Sequence, residues 1–105
     1  MTIAKIEFEE RESPYELNVF LVAEDKRKQV GRYNDYSSSS IFNAVSNITS
    51  ELDSIEFRGD IEIDPRASPS RMLSSESIVQ SLKAHLSECY VAGKINIDNI
   101  FMENI

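Results

Sequence analysis

One cysteine among 105 residues rules out an internal disulfide. Cys89 therefore fits a reducing compartment, and a cytoplasmic protein is expected. Three glycines and three prolines, beside 41% hydrophobic and 28% charged residues, exclude a disordered or low-complexity chain. No apolar run approaches the roughly 20 residues of a membrane span. The opening "MTIAKIEFEERE" has no basic region followed by an apolar one, so it does not read as a secretory signal. Positive charge is scarce: 11 Lys and Arg stand against 18 Asp and Glu, a net charge of −7. Such a surface repels nucleic acid and anionic membrane, because phosphate binding needs clustered cations. It attracts a basic protein and speeds the encounter. It also keeps a small domain soluble, whatever its function.

What is present reads as one domain, residues 1–105. Folding at this length buries roughly 65% of the extended chain's surface, enough for one modest core. Four serines, Ser37–Ser40, precede an apolar series Ile41, Val45, Ile48, Leu52 and Ile55. Its spacing of 4, 3, 4 and 3 lines one stripe of a helix. With Ser37 as N-cap, Tyr36 and Ile41 take the two positions of a hydrophobic staple. A linker would not lead straight into that pattern. A phosphate cradle would want a nearby glycine and no Asp35 beside it.

The pattern recurs in "MLSSESIVQSLKAHLSECYVAG". Ser74 is the expected cap, Leu73 and Ile78 the staple, Leu82, Leu86 and Cys89 the stripe, and Gly93 the stop. A shift of 37 residues superposes the two serine-led segments, and "DIEID" (60–64) and "KINID" (94–98) follow them. Two similar helix–strand units result, by duplication or by convergent capping.

The first third alternates. Ala4, Ile6 and Phe8 interleave with Lys5, Glu7 and Glu9, the period of a half-buried strand. Tyr15, Leu17, Val19, Leu21 and Ala23 form one face of a second strand. Phe20 and Val22 form the other, which predicts an interior position. "EDKRKQ" (24–29) reads as a charged turn, and "QVGRYND" (29–35) as a short third strand. Phe57, Ile61 and Ile63 predict a fourth strand, "DPRASPSR" (64–71) an exposed loop, and Ile95–Ile97 the start of a last strand running toward Met102. The expected fold is α+β, in the order β-β-β-α-β-α-β. About five strands form a mostly antiparallel or mixed sheet, with two helices on one face.

Chemistry is sparse. His85 and Cys89 share a helix face, but no second His or Cys exists to complete a zinc site or to support a second base. Both fall on or beside the core stripe, and Glu88 adjoins Cys89, the wrong setting for a thiolate. The serines lack a G-x-S-x-G elbow or an S-x-x-K pair. Asp60, Glu62 and Asp64 alternate along one strand face. They lie roughly 7 Å apart, too far to hold an ion unaided, so a metal enzyme would need Glu7 or Glu9 alongside. "DKRK" (25–28) is the only dense basic cluster and has the size of a turn. The sequence therefore nominates no catalytic residue, no metal ligand and no cofactor, and a non-enzyme is expected.

The carboxylates carry the functional expectation. Glu7, Glu9, Glu10, Glu12 and Glu16 crowd around one Arg11, next to Tyr15. They would protect a sheet edge against association, or form a landing surface anchored by Tyr15. Size, acidity and the missing catalytic set resemble a class of small inhibitors: immunity proteins of toxins, and phage-encoded blockers of nucleic-acid enzymes. The expectation is a binding protein that occludes a basic partner through Glu7, Glu9, Glu10, Glu12, Tyr15, Asp60, Glu62 and Asp64. Neither nucleic acid nor membrane is an expected direct partner. The alternative is an assembly module that forms homodimers through Ile100, Phe101, Met102 and Ile105 of the C-terminal tail.

Overall fold

Pairing begins with the first alternating segment. In a computed structural model that describes residues 3–11, 16–33, 38–68 and 73–102, β1 spans Ile3–Arg11 and β2 spans Glu16–Ala23. They pair antiparallel, with Ile6 opposite Leu21 and Phe8 opposite Val19. Ala4, Ile6, Phe8, Leu17, Val19 and Leu21 are buried on one face, while Lys5, Glu7, Glu9, Phe20 and Val22 lie half-buried on the other. β2 is interior, as its two apolar faces predict.

The turn after β2 is shorter than the charged run. Only Glu24 and Asp25 lie between paired Ala23 and Lys26, at φ 52° and 65°. Positive φ at both central residues gives the hairpin the twist of its strands. β3 then runs Lys26–Tyr33, so Lys26 to Gln29, expected in the turn, belong to a strand. Charge does not prevent this, because β3 is an edge and its cations find carboxylates on both faces. A bulge at Val30 separates the pairs Phe20–Gln29 and Val19–Gly31. Val30 is buried, and its carbonyl accepts from Asn47 Nδ2 at 2.8 Å. The helix thus supplies a partner at the bulge.

α1 spans Ser38–Ser54, with Ile41, Val45, Ile48 and Leu52 buried as the spacing requires. The proposed Ser37 cap and Tyr36 staple residue lie outside the described residues. The helix ends in paired backbone bonds: Phe57 N–H donates to the Leu52 carbonyl and Glu56 N–H to that of Asp53. This is a Schellman turn with Glu56 left-handed at φ 51°. α2 spans Leu73–Val91, so Ser74 sits inside its first turn rather than ahead of it. It ends the same way, with Lys94 N–H on Cys89, Gly93 N–H on Tyr90, and Gly93 at φ 75°. The two turns superpose at the 37-residue shift.

The strands that follow do not superpose. β4 spans Asp60–Ser68 and β5 spans Asn99–Met102. β4 takes in residues 64–68, expected as loop. Its pairing with β1 moves from Ile6–Ile63 to Phe8–Ala67, so two extra residues are absorbed around Pro65, which has no N–H to donate. The last strand begins four residues later than expected. Residues 95–98 are instead an anchored loop: Ile95 is buried, Asp98 N–H donates to the Gly59 carbonyl at 2.8 Å, and Tyr90 Oη donates to the Asp98 carbonyl at 2.7 Å.

The sheet order is β3-β2-β1-β4-β5. The meander β1–β2–β3 is antiparallel, and β4 and β5 run parallel to β1. Parallel neighbours need a crossover, which α2 provides between β4 and β5. α1 packs on β3 and on α2, and α2 packs on β4 and β5. The core lies between these helices and one sheet face. The fold is α+β with a mixed sheet, in the expected element order.

Candidate functional site

Among the described residues the two helices pack on one face of the sheet and leave the other to strand side chains. Alternation places Lys5, Glu7 and Glu9 of β1 on it, and Asp60, Glu62 and Asp64 of β4 beside them. β1 and β4 are neighbours, with Ile3 opposite Asp60 and Lys5 opposite Glu62. Adjacent strands stand about 4.8 Å apart, so the carboxylates of both form one field on this face. Five of the eight nominated residues, Glu7, Glu9, Asp60, Glu62 and Asp64, are therefore brought together. Glu10 lies in β1 opposite Leu17, but its side chain, Glu12 and Tyr15 fall outside the described residues.

One reading of the glutamates is overturned. β1 is the central strand, so its carboxylates do not guard an edge. The edges are β3, which carries Lys26, Arg27, Lys28 and Arg32, and β5, which carries no charge.

The field also contains cations. Lys5 Nζ lies 3.5 Å from a Glu62 carboxylate oxygen. Arg27 Nε donates to Glu7 Oε1 at 3.1 Å, and its guanidinium carbon stands 3.6 Å above the centre of the Phe20 ring. On the other side of β3, Lys28 pairs with Glu51 of α1. Arg27 and Lys28 of the basic run 25–28 are thus strand side chains tied to carboxylates, and Phe20 supplies the aromatic neighbour missing from its local sequence. Further along, Asn18 is only 4% exposed, and its Oδ1 accepts from Gln29 Nε2 at 2.8 Å. Phe20 and Arg27 went unnominated. Phe20 shows in the sequence as an apolar residue on the second face of β2, which reads as burial, and Arg27 as one cation of the run 25–28, which reads as a turn.

His85 and Cys89 lie on α2 at the core margin. The His85 ring is tilted against Phe42, 4.5 Å between centroids, with Nδ1 3.9 Å from Glu88. Cys89 packs against the core. Among the described residues, no three His, Cys, Asp or Glu side chains converge to hold a metal. None of the described helices is long and apolar enough to cross a membrane.

A cleft of about 460 Å³ lies between the two Schellman turns. Leu52, Phe57 and Ile95 line it, and so do Asp53, Glu56, Arg58 and Lys94. Its charges are of both signs, and it includes none of the nominated residues.

No protein-family model matches this chain, and no curated protein matches it. Among solved structures it is similar to T. thermophilus RuvC in complex with Holliday junction substrate, with a TM-score of 0.46 and 7% identity. The alignment covers 94% of this chain and 64% of that one, so the chain spans less than two thirds of the RuvC chain. A likeness that distant assigns no activity.

Proposed function

We propose that the protein binds a basic partner through the open face of β1 and β4 and occludes that partner's working surface. The supporting observation is the parallel pairing of these strands, which gathers Glu7, Glu9, Asp60, Glu62 and Asp64 on one face away from the helices. A toxin or nucleic-acid enzyme has a cationic groove of the matching sign, and a preorganised anionic surface steers into it and excludes the substrate. The proposed role needs no catalytic group, cofactor or direct contact with nucleic acid or membrane. It operates in the cytoplasm, as for an immunity protein or a phage-encoded inhibitor.

The test is kinetic. A partner captured on the wild-type protein should be lost on a Glu7→Gln, Glu9→Gln, Glu62→Gln variant. Its association rate should fall at least tenfold as ionic strength rises from low to physiological values. Association indifferent to salt, or capture unchanged by the triple variant, would remove the proposal.

A second reading rests on β5. Its residues, Asn99–Met102, are uncharged and form a sheet edge, whereas the opposite edge is heavily cationic. An undefended edge can accept a strand from a second copy. Light scattering decides it: a dimer broken by Phe101→Lys supports assembly, and a monomer at high concentration sinks it.

A further inference from the structure

On the face away from the helices, the Arg27 guanidinium lies over the Phe20 ring and bonds Glu7. Arg27 belongs to β3 and Glu7 to β1, with β2 between them. At about 4.8 Å per strand, the arginine reaches roughly 10 Å across the sheet. Arg27 pairs with Val22 in register, and Glu7 pairs with Phe20. The side chain therefore leans diagonally, its guanidinium carbon 3.6 Å above the centre of the Phe20 ring and its Nε on the Glu7 carboxylate.

We infer that Glu7 and Phe20 form an arginine-binding socket, occupied by Arg27 in the free protein and yielded to an arginine of the basic partner on binding. This rests on the proposed occlusion of a basic partner and names the contact that would anchor it. The socket has two parts, a ring face and a carboxylate at its margin. A planar guanidinium uses both at once, by stacking and by donation, and a compact ammonium does so poorly. The present occupant is held loosely. Its side chain is 47% exposed, that of Glu7 is 33% exposed, and the observed contact is a single bond from Nε rather than a two-point fork. An exposed pair of this kind exchanges at little cost. Lys5, two residues before Glu7 in β1, pairs in register with Glu62 and holds its carboxylate at 3.5 Å, so Glu62 as well as Glu7 carries an internal cation until a partner arrives.

The experiment measures binding of oligo-arginine and oligo-lysine peptides of equal length by fluorescence anisotropy at low ionic strength. The proteins are wild type, Arg27→Ala, Arg27→Ala with Phe20→Leu, and Glu7→Gln with Glu62→Gln. Circular dichroism and thermal unfolding confirm that each variant is folded. Vacating the socket should strengthen oligo-arginine binding about tenfold and oligo-lysine binding only about threefold, the latter from charge alone. Phe20→Leu should return the ratio of the two affinities to the wild-type value. Equal gains for both peptides, or no gain for oligo-arginine, would overturn the socket while leaving the acidic-face proposal standing. If wild type and the Glu7→Gln, Glu62→Gln variant bind neither peptide or bind them alike, the acidic-face reading falls and the socket with it.

Discussion

Both helices end in the same backbone turn, but with different residues at its left-handed position: Glu56 in the first and Gly93 in the second. That contrast supports a paired test. An L-residue with a Cβ is strained at φ near +50°, at about 1 kcal/mol, and glycine is not. Glu56→Gly should therefore stabilise the fold by about 1 kcal/mol, less the entropy that glycine gains when unfolded. Gly93→Ala should destabilise it by a similar amount. Nothing lies within 4 Å of a Cβ built at Gly93, so crowding cannot explain a loss there. Unfolding entropy of about 2.1 cal/mol/K per residue amounts to about 0.22 kcal/mol/K for 105 residues, so the full strain would move Tm by about 4–5 °C, and the net change after the glycine entropy should be about 1–3 °C, in opposite directions. The assay is calorimetric or circular-dichroism melting with urea midpoints alongside. Glu56→Gln is the control, since removing one negative charge from a chain of net charge −7 stabilises on its own. If Glu56→Gln matches Glu56→Gly, or if Gly93→Ala is neutral, the backbone reasoning is refuted.

The β2–β3 hairpin offers a related case: Glu24→Asn with Asp25→Gly should raise stability by about 0.5–1 kcal/mol in urea unfolding, because both residues sit at positive φ. Ile48 is 0% exposed at the centre of the α1 stripe, so Ile48→Ala should cost about 3 kcal/mol, and a loss below about 1 would mean the site collapses freely. A double-mutant cycle on Lys5 and Glu62, whose side chains are 35% and 18% exposed, should return a coupling of about 0.5 kcal/mol that shrinks in high salt. Coupling above about 2 kcal/mol would show the pair to be structural rather than exchangeable.

Much of the scaffold was legible because its signals are local. The alternation at Ala4, Ile6 and Phe8, the 4-3-4 spacing from Ile41 to Leu52, and the glycine at 93 each report on a few consecutive residues. Errors arose where long-range pairing overrode local character. Lys26 to Gln29 look like a turn until β2 offers them a ladder and Glu7 and Glu51 offer them partners. Residues 64–68 look like a loop until β1 continues past Pro65. Ile95 and Ile97 alternate like a strand, but the backbone bonds of Lys94 and Asp98 commit that segment to a turn and a strap.

Charge, composition and periodicity by themselves set the acidity, the two amphipathic helices, the half-buried strands and the residue types available for recognition. Tertiary structure decided which carboxylates meet. β4 returns beside β1 only after α1 has crossed the sheet, and the parallel register then places Glu62 against Lys5. Arg27 reaches Glu7 only because β2 lies between their strands with Phe20 outward. Such neighbours are set by which strand edge is left open when the chain returns. That outcome minimises exposed apolar surface over the whole sheet, and no short window of residues records it.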